Sequence, residues 1–254
     1  MPKKVSIIMS VYNSEKTIEK TIFSVLNQSF KSYEFIIVND GSKDNTKKIL
    51  EKYKNKNKIK IFNFKKNMGL AARLNFAMNK AQYSYIVRID DEDIMSENRI
   101  KFQVNEFNNN KDLDVVGGSA IYFNKKYKKY VYPIQSDTKI KEKIFYLNPI
   151  IHSSVMFKKR SIKKIGGYNK KFLRCQDYEL WLRGRKFLKF KNLKEVLVKR
   201  NVSNFKYEFE NIFYLLKARL EHSENLSQIT TSMFILIKDF TIFILLKLGL
   251  KKII

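Results

Sequence analysis

The chain has 254 residues, of which 44% are hydrophobic, and its 51 basic and 24 acidic residues give a formal net charge of +27. This length and apolar content suit one sizeable α/β core and argue against a disordered protein. The single cysteine, Cys175, excludes an internal disulfide framework and a cysteine-rich zinc site.

Short apolar runs alternate with segments of helical periodicity in the first part of the chain. After the first run, a turn leads into a helix for which Ser14 is the expected N-cap. The alternation predicts a parallel sheet with right-handed crossovers, and therefore a doubly wound α/β domain. The predicted strands are Val5–Val11, Glu34–Val38, Ile59–Phe64 and Ser84–Ile89.

The pattern is less regular after residue 93. A helix is predicted over Arg99–Phe107, and a strand, broken by Gly117 and Gly118, over Asp114–Phe123. Residues 125–149 are rich in lysine and tyrosine and show no clear period. Because no repeat or low-complexity linker interrupts the chain, we expect one catalytic-type domain.

The C-terminal segment is strongly hydrophobic from Ile229 to Leu250, but Lys238, Asp239 and Lys247 interrupt it. Charges near the middle of a membrane-spanning helix are costly. We therefore favour an amphipathic helix that lies in the membrane interface, with its lysines reaching the headgroups. A helix that packs on the domain or on another subunit of a homo-oligomer is the alternative.

The basic excess comes largely from dispersed lysines. It is compatible with nucleic-acid binding, with attraction to an anionic membrane, or with ordinary solvated faces. The sequence contains no arginine-rich helix, zinc finger or RNP-type aromatic motif, so we expect no nucleic-acid partner. Apolar sequence begins within the first residues, which leaves no room for a signal peptide and favours the cytoplasm.

Four consecutive acidic residues, Asp90, Asp91, Glu92 and Asp93, follow the apolar run Tyr85–Ile89. Parallel sheets bind ligands beyond the carboxyl ends of their strands. Carboxylates gathered there repel one another, and a hard divalent cation stabilises their charged forms and can bridge to a phosphate. A solvated acidic turn that caps the next helix is the alternative interpretation.

Two further strand ends carry polar groups, in the segments Asn39–Ser42 and Asn67–Gly69, the second followed by Arg73. Each segment alone is also typical of a plain turn. The first strand is followed neither by a phosphate-binding P-loop motif nor by a G-x-G-x-x-G motif. P-loop NTPases and dinucleotide-dependent oxidoreductases therefore lose most of their support.

The segment Gln176–Arg183 combines apolar anchors with the acidic residues Asp177 and Glu179. An acidic side chain at a helix start can simply cap the helix and complement its dipole. The functional interpretation is a general base that accepts a proton from an attacking hydroxyl.

Taken together, these segments resemble the family 2 glycosyltransferases, which have the GT-A fold. The resemblance covers residues 4 to 185 in the right order, and the ordered set is more specific than any one piece. The matching segments are Val5–Asn13, Val38–Asp44, Asn67–Ala71 with Arg73 and Asn75, Val87–Ile94, Asn148–His152, Gly166–Tyr168 and Gln176–Trp181.

The resemblance implies an inverting transfer of a sugar from a nucleotide diphosphate donor, expected to be UDP-linked, to an acceptor hydroxyl. It places Tyr12 and Asp40 at the uracil and ribose of the donor and Arg73 near the base or the diphosphate. Asp177 would be the base that activates the acceptor. Gln176 departs from the family pattern, in which a glutamate often precedes the base, and one negative charge is thereby removed.

The resemblance also implies a Mn²⁺ or Mg²⁺ ion that bridges the donor diphosphate. Asp90 opens the D-x-D element of the family, and Glu92 stands where its second aspartate usually lies. Because glutamate is longer by one methylene, Asp91 or Asp93 would share the metal and donor contacts. The choice among these three carboxylates stays open at this point.

We therefore expect a GT-A domain over residues 1–205, with a nucleotide-sugar part to about residue 120 and an acceptor part beyond it. Residues 206–254 would form a helical segment that associates with the inner face of the cell membrane. The expected role is the synthesis of a bacterial surface polysaccharide or glycolipid, on a glycan or lipid-linked acceptor. A nucleotidyltransferase, which also needs acidic metal ligands, and a basic nucleic-acid-binding protein are the alternatives.

Overall fold

The computed structural model describes residues 4–203 and 208–247. The strands are β1 Val5–Val11, β2 Tyr33–Asn39, β3 Ile59–Asn63, β4 Tyr85–Arg88, β5 Ile94–Met95, β6 Val115–Phe123, β7 Lys128–Val131, β8 Met156–Lys158 and β9 Phe190–Asn201. The helices are α1 Ile18–Leu26, α2 Thr46–Glu51, α3 Leu70–Lys80, α4 Arg99–Asn109, α5 Asp137–Lys143, α6 Lys159–Lys164, α7 Gln176–Gly184, α8 Phe209–Glu221 and α9 Leu226–Lys247.

The described strands form one sheet in the order β3-β2-β1-β4-β8-β6-β9-β5, with β7 paired to β6. Strands β1 to β4 are parallel to their neighbours, and β1 pairs with β2 from Val5 opposite Tyr33 to Val11 opposite Asn39. Their continuous apolar runs are typical of strands that are covered on both faces. The carboxyl ends of β1, β2 and β4 consequently meet at one edge of the sheet.

Helices cover both faces of this sheet, as expected for a doubly wound domain. On one face α1, α2 and α4 pack through apolar residues such as Ile22, Leu50 and Val104. On the other face α3, α5, α6 and α7 pack through residues such as Leu74 and Trp181. The predicted α/β class is confirmed.

The second half of the sheet is mixed, not mainly parallel. Strand β8 is antiparallel to β4 and β6, and β5 is antiparallel to β9, whereas β6 and β9 run parallel. Strand β6 continues through Gly117 and Gly118, but its pairing with β9 shifts register directly after Gly118, so the predicted break is a local irregularity of one strand. A Cβ on Gly117 would lie 2.3 Å from Oδ1 of Asn192 on β9, so the glycine permits the close approach of these two strands.

The lysine- and tyrosine-rich stretch has more structure than its pattern indicated. Residues 128–131 form β7, which extends the sheet beyond β6, and residues 137–143 form α5. Ile140 of α5 is fully buried, while the side chains of Tyr130 and Tyr132 are exposed. The secondary structure of this stretch therefore depends on a few buried residues, such as Ile140, among many exposed ones.

Helices α8 and α9 form an antiparallel hairpin beside α7. Helix α9 is long and apolar enough to cross a membrane by length and composition, and few of its residues are buried. The predicted boundary between residues 205 and 206 lies outside the described residues. So do residues 248–250 of the predicted hydrophobic segment.

Candidate active site

The loop after β1 is held against the acidic turn that follows β4. Oδ2 of Asp91 accepts hydrogen bonds from the Ser14 hydroxyl and, over 3.2 Å, from the backbone N–H of Tyr12. Burial, reinforced by the charges of Asp90 and Glu92, raises the pKa of Asp91 to about 6. Ser14 is thus a partner of Asp91, and Thr17, not Ser14, precedes the first residue of α1.

Asp90 lies at the end of β4 in a pair with a buried arginine. Nη1 of Arg88 donates to Oδ2 of Asp90 over 2.7 Å, and Nη2 donates to Oδ1. The Arg88 side chain is 2% exposed and that of Asp90 is 24% exposed. The end of β4 therefore presents the partly accessible carboxylate of Asp90, which the buried guanidinium of Arg88 holds in place.

Asp93, unlike the partly accessible Asp90, is buried inside the domain. Its Oδ1 accepts the backbone N–H of Asn201 at the end of β9 over 3.1 Å, and its Oδ2 is sealed from solvent. Burial, with the charge of Asp90 as the next cause, raises the pKa of Asp93 to about 7. Asp93 therefore links the acidic turn to β9.

Glu92 lies on the outer side of the same turn. A cavity of about 480 Å³ opens between this turn and the loop after β1. Glu92 and Asp91 line it on one side, and Tyr12, whose side chain is 41% exposed, lines it on the other. Glu92 thus lines this cavity and Asp90 stays partly accessible, whereas the carboxylates of Asp91 and Asp93 are buried.

Asp40, at the end of β2, is fully engaged inside the protein. Its carboxylate accepts the N–H groups of Met68 and Gly69 over 2.9 and 2.8 Å and is paired with Nε of Arg73. The Arg73 guanidinium also donates to the carbonyl of Lys66 and lies 3.6 Å from the centre of the Phe64 ring. Asp40 and Arg73 together fix the loop between β3 and α3.

Replacing Asp40 by asparagine is expected to lower the free energy of unfolding by about 3 kcal/mol, because the buried Arg73 loses its counterion. Urea denaturation followed by circular dichroism measures this change. Asp112, whose side chain is 82% exposed in a surface pair with Lys189, is the matched control, and D112N should leave stability unchanged. A D40N protein of unchanged stability but weakened donor binding would instead assign Asp40 a direct ligand contact.

Asp177 lies in the first turn of α7. Its Oδ2 accepts a hydrogen bond from the Asn148 side-chain amide over 2.8 Å, and its side chain is half-buried. The segment that follows Asn148 leads to the acidic turn, because the carbonyl of Val155 accepts the backbone N–H of Arg88, the partner of Asp90, over 3.0 Å. Burial raises the pKa of Tyr168 above its usual value, and the charges of Asp177 and Asp90 raise it further.

Sequence reasoning missed Arg88, Arg200 and the buried pair of His152 and Tyr168. The His152 ring lies 2.8 Å from the Tyr168 hydroxyl, and burial keeps the pKa of His152 well below its usual value. Arg200, on β9, donates to the Tyr122 hydroxyl over 3.3 Å. Burial opposes its charge, but Asp90, Tyr122 and Asp93 outweigh that effect and raise the pKa of the guanidinium. The arginine two residues before Asp90 was visible in the sequence, whereas Arg200 lies more than 100 residues away.

The donor set at the acidic turn fits a hard divalent cation. Within residues 4–203 and 208–247, no three histidine, cysteine, aspartate or glutamate side chains form a complete metal site. Mg²⁺ is commonly held by one or two carboxylates together with substrate phosphates, so a complete site within the protein is not required. The accessible carboxylates of Asp90 and Glu92 have the chemistry that such a shared site needs.

Comparisons with known proteins agree with this geometry. The model of the family described as "Glycosyl transferase family 2" matches residues 6–166. An uncharacterized glycosyltransferase of Methanocaldococcus jannaschii is 33% identical over 211 residues, which cover 79% of this chain and 71% of that protein. The Escherichia coli UDP-Gal:alpha-D-GlcNAc-diphosphoundecaprenol beta-1,3-galactosyltransferase is 29% identical over 185 residues, covering 71% of this chain and 67% of that protein.

Two solved structures share the fold. Staphylococcus aureus TarS in complex with UDP has a TM-score of 0.67 at 20% identity, and the match covers 93% of this chain and 70% of that one. The mannosyltransferase PcManGT from Pyrobaculum calidifontis, in complex with GDP-Man and Mn²⁺, has a TM-score of 0.68 at 14% identity over 91% and 69% of the two chains. The present chain belongs to glycosyl transferase family 2 and is an inverting glycosyltransferase with the GT-A fold.

Proposed function

We propose that this enzyme transfers a sugar from a UDP-linked donor to a hydroxyl of a lipid-linked glycan, with Asp177 as the base. The observation that carries the proposal is that residues 148–155 link the two carboxylates: Asn148 donates to Asp177, and the carbonyl of Val155 accepts the N–H of Arg88, the partner of Asp90. The donor would lie along the carboxyl ends of β1, β2 and β4, with Tyr12 against the uracil ring. Asp40 and Arg73 would shape the loop that borders the nucleotide.

In the proposed reaction the Asp177 carboxylate accepts the proton of the acceptor hydroxyl. The hydroxyl oxygen forms a bond to the anomeric carbon on the face opposite the nucleotide, while the bond from that carbon to the diphosphate oxygen breaks. The electron pair leaves with the diphosphate, and the configuration is inverted. Asn148 holds Asp177 in place through the 2.8 Å hydrogen bond, so the base is oriented before the acceptor arrives.

Asp90 and Glu92 would hold Mn²⁺ or Mg²⁺ together with the donor diphosphate. When bound, the ion would neutralise the charge that develops on the departing nucleotide. The Mn²⁺ in the PcManGT complex supports the same class of cofactor here. Asp91 and Asp93 would then hold the acidic turn in position, Asp91 through its hydrogen bond with Ser14 and Asp93 through its hydrogen bond with Asn201.

The donor base is tested by thermal shift with UDP, GDP and ADP, each with and without Mn²⁺. A ligand that binds only the folded protein raises the melting temperature with its concentration. UDP with Mn²⁺ is expected to give the largest increase, in line with the UDP in the TarS complex and the UDP-Gal in the name of the Escherichia coli relative. A larger shift with GDP would contradict the proposed donor.

Arg200 is expected to bind the donor diphosphate, because its guanidinium is cationic and the adjacent Asn201 is hydrogen-bonded to Asp93 of the acidic turn. R200Q should weaken UDP binding by roughly tenfold, the effect of losing one charge-assisted contact. Calorimetry with UDP and with uridine separates the diphosphate from the nucleoside, and only UDP binding should change. The adjacent exposed Lys199 provides the control variant K199Q, and equal losses for UDP and uridine would contradict the assignment.

The acceptor and location form the last part of the proposal. The Escherichia coli relative is named for a diphosphoundecaprenol-linked acceptor, and helix α9 offers a large exposed apolar surface. Both support an enzyme that works at the inner face of the cell membrane, on a lipid-linked intermediate of a surface polysaccharide.

A further inference from the structure

Helices α8 and α9 present a continuous exposed apolar surface, which we call the tail face. Phe234 and Ile237 on α9 are the most exposed of its members, at 73% and 65%. Single exposed apolar residues are common, but a contiguous set of this size marks an interaction surface. The tail face comprises Phe209, Phe213, Met233, Phe234, Ile237, Phe240 and Ile244.

The acidic residues of this hairpin are neutralised by partners, which leaves its unpaired charge positive. Every acidic residue described between residues 208 and 247 lies in an ion pair with lysine or arginine. By contrast, Lys238 and Lys247 are exposed on α9 and border the tail face. The pairs are Glu208 and Glu210 with Arg174, Glu221 with Lys217, Glu224 with Arg185 and Lys186, and Asp239 with Arg219.

Helix α9 packs against α8, and α8 is tied to the domain through Arg219. Arg219 of α8 donates to the Phe145 carbonyl and to the Tyr178 hydroxyl, each over 3.2 Å, and lies 3.8 Å from the Asp239 carboxylate of α9. A membrane-spanning position would have to break this ion pair and separate α9 from α8. At 1.5 Å per residue, the 22 residues of α9 form a helix of about 33 Å beside α8.

The tail face continues to the mouth of the proposed active site. Phe209, at the start of α8, contacts the Phe240 ring of α9, and the same end of α8 is joined to Arg174 by Glu210. Next to Arg174 is Leu173, which is 69% exposed and only four residues from Asp177. On the other side, the exposed Tyr146 and Leu147 precede Asn148, the hydrogen-bond partner of Asp177. Exposed apolar side chains thus lie in the two segments that lead to Asp177 and to its partner Asn148.

We propose that the tail face lies in the interfacial layer of an anionic membrane and holds the mouth around Asp177 at that surface, so that a lipid-linked acceptor enters from the bilayer. This inference rests on the proposed function and specifies how its acceptor arrives. The tail face supplies the apolar contact, and Lys238 and Lys247 supply the attraction to the headgroups.

A second copy of the chain is a poorer occupant of the tail face. Each copy carries a formal charge of +27, so two copies repel one another, while an anionic bilayer attracts both. A homodimer through this face would also bring like-charged lysines on α9 close together. Charge complementarity therefore favours the membrane.

Co-sedimentation of the full chain with vesicles tests the docking. Vesicles that contain phosphatidylglycerol in phosphatidylcholine should bind the protein, and pure phosphatidylcholine vesicles should bind it more weakly. The variant F234E/I237E should lose vesicle binding by roughly tenfold or more, since two exposed apolar contacts are replaced by charges. The control F23E alters an equally exposed apolar residue on α1, at the opposite face of the sheet, and should bind like the wild type.

Three results keep this test separate from a failure of the proposed function. UDP binding by F234E/I237E should equal that of the wild type, since neither residue belongs to the active site. Wild-type vesicle binding by F234E/I237E would overturn the docking inference. The inference would also be overturned if the wild type did not bind vesicles and formed a dimer, seen by light scattering, that became a monomer in this variant.

The position of the mouth is tested with an environment-sensitive fluorophore. In a C175S background, which removes the single cysteine, the label is placed at F234C, L173C or K56C. Anionic vesicles should shift the emission to the blue at residues 234 and 173 but not at the exposed residue 56 on the loop after α2. A shift at residue 234 alone would overturn delivery of the acceptor from the bilayer, and a shift at neither 234 nor 173 would overturn the whole inference.

Discussion

Replacing Asp177 by asparagine is expected to lower kcat for sugar transfer by about a thousandfold, the usual contribution of a general base. Asparagine has nearly the same shape and keeps an oxygen that can accept the Asn148 amide hydrogen bond, so the change removes basicity and little else. UDP binding, measured by calorimetry with Mn²⁺, should stay unchanged because the proposed base acts on the acceptor and not on the donor. Steady-state transfer to a lipid-linked acceptor in detergent provides the rate.

Glu210 provides the control for this experiment, because it is another acidic side chain near the start of α7 and is paired with Arg174. The variant E210Q should transfer sugar at close to the wild-type rate. Transfer by D177N at the wild-type rate would remove the base assignment. A parallel loss of UDP binding would show that Asp177 acts on the donor side instead.

The parallel half of the sheet was predictable because its strands carry their own signal. Val5–Val11 and Phe35–Val38 are continuous apolar runs between turn-forming residues, and both lie in strands covered on both faces. Strand β9 lacks such a run, since Lys194, Glu195 and Lys199 interrupt it and exposed positions alternate irregularly. It is a strand because it pairs with β6, and such long-range pairing leaves little trace in local sequence.

Arg200 was missed for the same reason. An arginine suggests a functional role only when the fold brings it near carboxylates. Strand β9 brings Arg200 to the acidic turn, where the N–H of the next residue, Asn201, donates to Asp93. The tyrosine at position 168 illustrates the point from another side. Its sequence neighbours indicate a helix stop, while its hydrogen bond with His152 arises from the fold alone.

The sequence identified the acidic turn but could not distinguish its members. Four consecutive carboxylates have the same composition whichever way they point. Their hydrogen-bond partners distinguish them. Asp91 is bonded to Ser14, Asp93 to the backbone of Asn201, and Asp90 to Arg88. Glu92 lines the cavity beside Tyr12, together with Asp91. The structure thereby turns an open choice into a testable ranking.

Conversion of Glu92 to glutamine is expected to weaken Mn²⁺-dependent UDP binding by about a hundredfold, because the proposed site loses one of its two carboxylate ligands. The amide change D93N should alter that affinity by no more than about twofold, since its Oδ1 still accepts the Asn201 N–H and its side chain does not face the cavity. Calorimetry with UDP in Mn²⁺ and in EDTA measures both effects. In EDTA, E92Q and the wild type should bind UDP equally, because the loss depends on the ion. If D93N lost the Mn²⁺ dependence and E92Q kept it, the metal ligand would be Asp93, and the buried side chain would have to turn outward when the donor binds.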